Sequence, residues 1–171
     1  PPGADVYADA VYAKAAENFA LFQSKGILTR DPDPALYLYR LRMGSHVQRG
    51  LVTCCHIGDY EADIIRKHEK TRKDKEDDRT RHIATLQANT GPVFLTYRDQ
   101  PAIDEKIRGV EAGAPLYDFT ASDGISHTLW KITDTAPFIA AFSRVPLAYI
   151  ADGHHRFETA CNYKKESKGR R

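Results

Sequence analysis

The chain has 171 residues, of which 42% are hydrophobic and 28% are charged, the balance of a globular protein with enough length to bury a core. Its net charge of +2 gives no global electrostatic basis for binding DNA or a membrane surface. No apolar run approaches the roughly 20 residues of a membrane span. The three cysteines have no CxxC spacing, which favours reduced thiols over a disulfide framework or a zinc site. We therefore expect a cytoplasmic protein without a membrane partner.

Both ends of the sequence lack ordinary terminal signals. The chain begins at Pro1 rather than Met, and it closes on a basic stretch from Lys164 to Arg171 without a capping signal. We therefore expect one domain over 1–171 that is a fragment of a longer protein. The sequence leaves the oligomeric state open.

The first half of the chain predicts a helix followed by a hairpin. Val11, Ala15, Phe19 and Phe22 recur at helical spacing, which predicts a helix over 8–25 that ends at Gly26. Strand-forming residues on either side of a Gly-Ser turn predict a β-hairpin, and an aspartate then caps a short helix. These elements are the strands 36–42 and 47–57 and a helix that begins near Asp59 and runs through Ile64-Ile65.

The second half alternates helices with strands. Acidic residues after Asp74 favour the start of a helix over 74–89, because carboxylates stabilise the positive end of the helix dipole. Asp123-Gly124 between two strand-forming runs predicts a second hairpin. The remaining predicted elements are strand 93–97, helix 102–110, hairpin strands 116–121 and 126–132, helix 136–142, strand 147–150 and a helix after Gly153. We expect an α/β fold of mixed α+β type, with a mixed sheet, β-hairpins and flanking helices.

The turn from Asp152 to Arg156 concentrates polar groups between a buried-type strand and a helix. The first N–H groups of a helix lack partners within it, and the dipole adds positive potential there. Gly153 lets a ligand approach the backbone, and Arg156 suits phosphate. His154 and His155 can donate hydrogen bonds or exchange protons, and Asp152 can cap the helix, hold a metal ion or accept a proton. The alternative is that Asp152 is only a helix cap and both histidines are ordinary surface residues.

The sequence around this turn resembles a known family. The stretch from Tyr149 to Ala160, which reads YIADGHHRFETA, is similar to the hallmark of the bacterial domain-of-unknown-function family numbered ten-fifteen. Further similarity lies in Lys67–Thr71, which reads KHEKT, in Asp118-Phe119-Thr120, and in His127–Trp130. The resemblance covers most of the chain.

Gly153–Arg156 also resembles the Gly-x-x-Arg phosphate motif of the ParB/sulfiredoxin superfamily, over about a dozen residues. That superfamily includes nucleotide-hydrolysing partition proteins, ATP-using sulfinic-acid reductases and kinases of free serine. The resemblance implies a ParB/sulfiredoxin-like strand–turn–helix near the C-terminus and nucleotide phosphate binding by this turn. It also implies Mg²⁺ and a nucleotide (ATP, ADP or CTP) as cofactors, without choosing among the reactions.

The Lys67–Thr71 segment is the second candidate for chemistry. Lys67 or Lys70 could neutralise phosphate charge, with His68 and Thr71 beside them, while Glu69 could act as a base or a magnesium ligand. Arg79 on the following predicted helix could reach the same place. The alternative is a solvated charged face, which is the usual meaning of such runs.

Other residues are assigned to structure. Trp130 alternates with His127 and Leu129 on a predicted strand, so it points to the opposite face and fits a core position. Cys54 and Cys55 fall on opposite faces of a predicted strand without a neighbouring base, which argues against a nucleophile. The sequence contains no P-loop, GxGxxG after a strand, HExxH or GxSxG motif, which disfavours ordinary P-loop ATPases, dinucleotide oxidoreductases and zincins.

Three functions follow as hypotheses. The first is a nucleotide- and magnesium-dependent phosphotransferase acting on a small hydroxyl compound such as an amino acid, with Asp152 or Glu69 as base and either as metal ligand. The second is a ParB-like nucleotide switch or DNA-associated regulator, although no basic helix-turn-helix is evident and nucleic acid is not the expected partner. The third is a metal hydrolase using Asp152, His154, His155 and a distant His68, which ranks last because adjacent histidines seldom reach one ion.

Overall fold

The computed structural model describes residues 5–168, which form six helices and seven strands. Most of the predicted elements are present within a few residues of the expected bounds. The helices are α1 (Asp9–Ser24), α2 (Ile57–Glu61), α3 (Lys73–Leu86), α4 (Pro101–Glu111), α5 (Ala136–Phe142) and α6 (His154–Lys168). The strands are β1 (Leu36–Met43), β2 (His46–Val52), β3 (Ile65–Arg66), β4 (Phe94–Tyr97), β5 (Tyr117–Thr120), β6 (Ser126–Ile132) and β7 (Ala148–Asp152).

The chain divides into two compact units. The first comprises Pro1–Arg30, Ile57–Tyr97 and Leu147–Arg171, and the second comprises Asp31–His56 and Arg98–Pro146. The expectation of a single domain over 1–171 stays a prediction. Within residues 5–168, none of the helices is both long enough and apolar enough to span a membrane.

The second unit is built on an antiparallel sheet in the order β2-β1-β6-β5. Strand β6 alternates, so that Thr128, Trp130 and Ile132 are buried, as the period of two predicts. Trp130 is opposite Leu38 of β1, and its indole N–H donates to the Gly113 carbonyl at 3.0 Å. The prediction that Trp130 is a core residue is confirmed.

The first unit holds a smaller mixed sheet in the order β3-β7-β4, in which β7 is parallel to β3 and antiparallel to β4. Its core contains Ile65, Ile150, Phe157 and Cys161, all buried. Helix α6 packs against α3, and α1 packs against α3. Strand β7 is fixed by its pairing with β3 and β4, and α6 is fixed by its packing against α3. The turn between β7 and α6 is therefore fixed at both of its ends.

The mixed sheet, the hairpins and the strand-to-helix passage at β7–α6 are confirmed. The two hairpins, however, form an antiparallel sheet of their own. Strand β2 ends at Val52, so the prediction that Cys54 and Cys55 lie on a strand is wrong. The predicted helix after Asp59 is also shifted, because α2 begins at Ile57 and the chain re-enters a sheet at Ile65.

Candidate functional site

The turn between β7 and α6 depends on one glycine. Strand β7 ends at Asp152 and α6 begins at His154, so Gly153 alone makes the passage, with φ +91°. Such an angle is costly for a residue with a Cβ atom. The Phe157 N–H donates to the Gly153 carbonyl at 3.0 Å, which is the first turn of the helix. The N–H groups before Phe157 therefore start the helix without a partner inside it.

Arg156 and Asp152 are bound to each other. The guanidinium Nη2 lies 2.5 Å from the Asp152 carboxylate, one helical turn away. The Arg156 side chain also covers Gly153, where an added Cβ would lie 2.8 Å from its Nε and Nη2. The Nε atom is buried and has no hydrogen-bond partner. The pair with Asp152 and the burial of Nε therefore leave Arg156 with fewer donors for a phosphate.

The Lys67–Thr71 segment lies against the beginning of α6. The Glu69 carboxylate is 3.6 Å from His154 Nδ1, and the His68 ring meets the His154 ring edge to face, with 4.5 Å between centroids. Farther along α6, Glu158 Oε2 lies 3.3 Å from Lys67 Nζ. The two stretches that the sequence singled out, 81 or more residues apart in the chain, are thus neighbours in space.

The two histidines of the turn have different surroundings. His154 is 5% exposed, and its Nε2 is buried without a hydrogen-bond partner. His155 Nε2 accepts a hydrogen bond from the backbone N–H of Arg72 at 3.1 Å. Because an N–H can only donate, His155 is neutral in this contact and carries its proton on Nδ1. His155 therefore ties the start of α3 to α6.

Thr71 closes the segment at its other end. Its hydroxyl donates to the Glu76 carboxylate, which also accepts from the Asn162 amide of α6 at 3.2 Å. The segment is held at Lys67, Glu69 and Thr71, so a stretch without regular secondary structure has fixed contacts along its length.

A cavity of about 440 Å³ opens along this segment. Its lining combines two lysines, two glutamates, a histidine and a threonine: Lys67, His68, Glu69, Lys70, Thr71 and Glu158. This volume lies in the range of small-molecule sites, about 300–1,000 Å³. Charges of both signs therefore face one space of suitable size.

Three side chains at the edge of the cavity form what we call the Tyr60 cluster: Tyr60, Lys67 and Glu158. The Tyr60 hydroxyl donates to Glu158 Oε2 at 2.5 Å, and Lys67 Nζ lies 4.9 Å from the centre of the Tyr60 ring. Phe157 stacks on that ring with 4.7 Å between centroids. Three separate parts of the chain, α2, the charged segment and α6, supply this cluster.

Electrostatics in the Tyr60 cluster favour the charged carboxylate and ammonium. Burial and the hydrogen bond to Glu158 raise the pKa of Tyr60 to about 12. Burial tends to raise the pKa of Glu158, but the Tyr60 hydrogen bond and the Lys67 ammonium outweigh it, and the pKa falls below its usual value. The hydrogen bond with Tyr60, opposed by burial and aided by Glu158, raises the pKa of Lys67. Glu158 is therefore a stable anion and a weak base.

Some predicted site residues do not join this group. Arg79 is directed to Asp78, at 4.0 Å. The Asp152 carboxylate faces Arg156 while that of Glu69 faces His154, so the two predicted metal ligands have different partners. Within residues 5–168, no three His, Cys, Asp or Glu side chains converge to hold a metal ion.

Tyr60 and Glu158 were not predicted as site residues. Glu158 follows His154 by four positions, which places both on one face of a helix, and this spacing was a usable signal. Tyr60 carries no such signal, because its role depends on contacts with residues far away in the sequence.

The comparisons with known proteins agree with the resemblance seen in the motifs. The family model described as "Protein of unknown function (DUF1015)" matches residues 1–171. The chain belongs to this family. No curated protein and no solved structure matches the chain. Membership in the DUF1015 family does not specify an activity. The cavity and its lining are the features of the chain that bear on function.

Proposed function

We propose that this chain binds the phosphate groups of a nucleotide in the cavity lined by Lys67–Thr71 and Glu158, and that it transfers a phosphoryl group to a small hydroxyl compound such as an amino acid. The observation that supports this proposal is the meeting of the Lys67–Thr71 segment with the first turns of α6 around one cavity.

Phosphate recognition rests on the cations of the segment. Lys67 and Lys70 line the cavity, and ammonium groups neutralise the charge of a nucleotide's phosphates. The N-terminus of α6, where His154 contacts His68 and Glu69, adds partial positive charge close to the segment. Arg156 would contribute less, because its Nη2 is paired with Asp152 and its Nε is buried.

Glu69 is the carboxylate best placed to accept a proton. Its side chain is 60% exposed, lines the cavity and contacts His154, whereas Glu158 is held as an anion by Tyr60 and Lys67. In the transfer, the acceptor oxygen forms a bond to phosphorus as the bond to the leaving phosphate breaks. The acceptor's proton passes to Glu69, and the shortened nucleotide leaves.

A magnesium ion at this site would be bound mainly by the phosphates of the nucleotide and only to a small extent by protein side chains. The described residues bring no three ligands together, and Mg²⁺ usually keeps several waters with one or two carboxylates and substrate phosphates. Among the residues predicted to hold it, Glu69 reaches the cavity and Asp152 is bound to Arg156. When bound, the ion supplies charge neutralisation.

Nucleotide binding can be tested by thermal denaturation with ADP, ATP or CTP, each with magnesium. A nucleotide at about 100 times its Kd should raise the Tm by about 7 °C for a chain of this size. Lys67→Gln should weaken binding about tenfold, since it removes the ammonium charge but keeps a polar side chain. Lys25→Gln, an exposed position in the same unit, is the matched control and should bind like the wild type.

Turnover is then followed by ³¹P NMR with a panel of amino acids and other small alcohols. A new phosphate ester signal, absent in Glu69→Gln, supports transfer. Absence of any nucleotide-induced rise in Tm contradicts the proposal. Binding without turnover would contradict the phosphotransferase and favour a nucleotide-binding switch.

A further inference from the structure

Helix α6 contacts the charged segment at two points one helical turn apart. His154 meets His68 and Glu69, and Glu158 meets Lys67. Residues four apart lie above one another on the same helix face. This face of α6 therefore contacts the segment through His154 and Glu158. Of these two side chains, Glu158 is the one that lines the cavity and pairs with Lys67.

Lys67 is restrained on two sides. Its ammonium lies over the Tyr60 ring and beside the Glu158 carboxylate, while its side chain remains 52% exposed. Tyr60 is itself fixed by its hydrogen bond to Glu158 and by stacking on Phe157. A lysine that is already ordered loses less side-chain entropy when a ligand arrives. Lys70 lines the same cavity without such a restraint among the described contacts.

We infer that Glu158 and Tyr60 are positioning residues that hold the Lys67 ammonium at the cavity, where it meets the phosphate of the ligand. This inference rests on the proposed function. Glu158 acts through Lys67 and does not itself take the acceptor's proton, because the Tyr60 hydroxyl and the Lys67 ammonium keep it ionised.

The restraint on Lys67 can be measured without a ligand. Intact protein is acylated with a small N-hydroxysuccinimide ester, and the rates at Lys67 and at exposed Lys25 are compared by mass spectrometry. In the wild type Lys67 should react more slowly than Lys25. Glu158→Gln and Tyr60→Phe should each raise the Lys67 rate about threefold relative to Lys25. Glu158→Gln removes the paired charge, and Tyr60→Phe keeps the ring but removes the hydroxyl that hydrogen-bonds Glu158 and Lys67. Melting temperatures confirm that both variants are folded.

A matched control is available in the same unit. Tyr12 donates to Asp78 at 2.6 Å and lies beneath Arg81, an arrangement like that of Tyr60, Glu158 and Lys67. Tyr12→Phe removes a similar hydrogen bond and should leave the reactivity of Lys67 unchanged.

The same variants are then titrated with magnesium-ADP by calorimetry. Glu158→Gln and Tyr60→Phe should each weaken binding about fivefold, Glu158→Asp should restore part of the loss, and Tyr12→Phe should bind like the wild type. A Lys67 rate that is equal in the wild type and both variants overturns the positioning role. Protected Lys67 with unchanged affinity in the variants overturns its link to the ligand.

Failure of the proposed function has a different signature. If wild-type protein binds no nucleotide but Lys67 reactivity still rises in both variants, the nucleotide assignment fails while the restraint on Lys67 stands.

Discussion

Two clusters in the first unit are built from the same chemistry. In the Tyr60 cluster a tyrosine hydroxyl donates to Glu158 at 2.5 Å, and Lys67 lies 4.9 Å from the ring. In what we call the Tyr12 cluster (Tyr12, Asp78, Arg81) the hydroxyl donates to Asp78 at 2.6 Å, and Arg81 lies 4.2 Å from the ring. Burial and the carboxylate raise the pKa of each tyrosine to about 12.

The surroundings of the two clusters differ. Tyr12, on α1, is 5% exposed and contacts Asp78 of α3, and Arg81 is also bound to Tyr7 and Asp9. Arg81 borders a cavity of about 250 Å³, but its guanidinium is already occupied. Lys67 keeps half of its side chain exposed at the larger cavity. The two cations are similarly exposed, 44% for Arg81 and 52% for Lys67, so exposure does not distinguish the clusters. Arg81 also donates to Tyr7 and Asp9, whereas the contacts described for Lys67 are with Tyr60 and Glu158, at the larger cavity.

The largest expected effects come from truncating each tyrosine to alanine, which should distinguish a cluster that only stabilises the fold from one that also supports ligand binding. Tyr12→Ala should lower the free energy of unfolding by about 3 kcal/mol, and Tyr60→Ala by about 2 kcal/mol because its ring is less buried. Only Tyr60→Ala should weaken magnesium-ADP binding, by up to about tenfold, the loss expected when the Lys67 ammonium itself is removed. Urea denaturation and calorimetry measure both quantities. A loss of ADP binding in folded Tyr12→Ala would remove the distinction between the clusters.

Alkaline pH should weaken both clusters. A pKa raised from 10.0 to about 12 means that the folded state holds the phenolic proton more tightly than the unfolded state. The stabilisation is complete below pH 10 and is lost as pH rises through about 12. Tyr12→Phe and Tyr60→Phe should each cost about 1 kcal/mol near neutral pH and should each reduce the slope of stability between pH 10 and 12. Unchanged slopes in the variants, measured by urea denaturation, would contradict this account.

The smallest expected effect is the loss of stability of the Tyr60 cluster at acid pH. The pKa of Glu158 is lowered in the folded state, so its stabilisation is present above the ordinary value of 4.5 and is lost as pH falls through the lowered pKa. Glu158→Gln should cost less than 1 kcal/mol at pH 6, because the Lys67 pair is partly exposed. The difference from wild type should shrink below about pH 4.

The sequence predicted most elements because their signals are local. Helical spacing placed α1, acidic residues placed the start of α3, and Asp123-Gly124 placed the second hairpin. The predicted bounds were wrong where pairing with a distant strand determines where a strand begins or ends. Residues Ile65–Arg66 form β3 only because β7 lies alongside, and β2 ends at Val52 where its pairing with β1 ends at Tyr37.

The candidate site was predicted in part for the same reason. The two motifs at Lys67–Thr71 and Asp152–Arg156 could be recognised from composition and resemblance, but their proximity depends on how α6 packs. Tyr60 and Glu158 needed the folded chain. The ion pair between Arg156 and Asp152 has helical i, i+4 spacing, yet the sequence alone could not show that it would form instead of a contact with ligand.

Arg156 also constrains what its neighbours can be. A Cβ at Gly91 would lie 3.1 Å from the Arg156 Cδ, and one at Gly153 would lie 2.8 Å from its guanidinium. A shorter side chain at 156 would make room at position 91, where alanine could then be accommodated. Position 153 would still be confined to glycine by its positive φ. In a library of variants, substitutions at 91 should therefore occur together with a shorter side chain at 156. Position 153 should remain glycine whichever residue stands at 156.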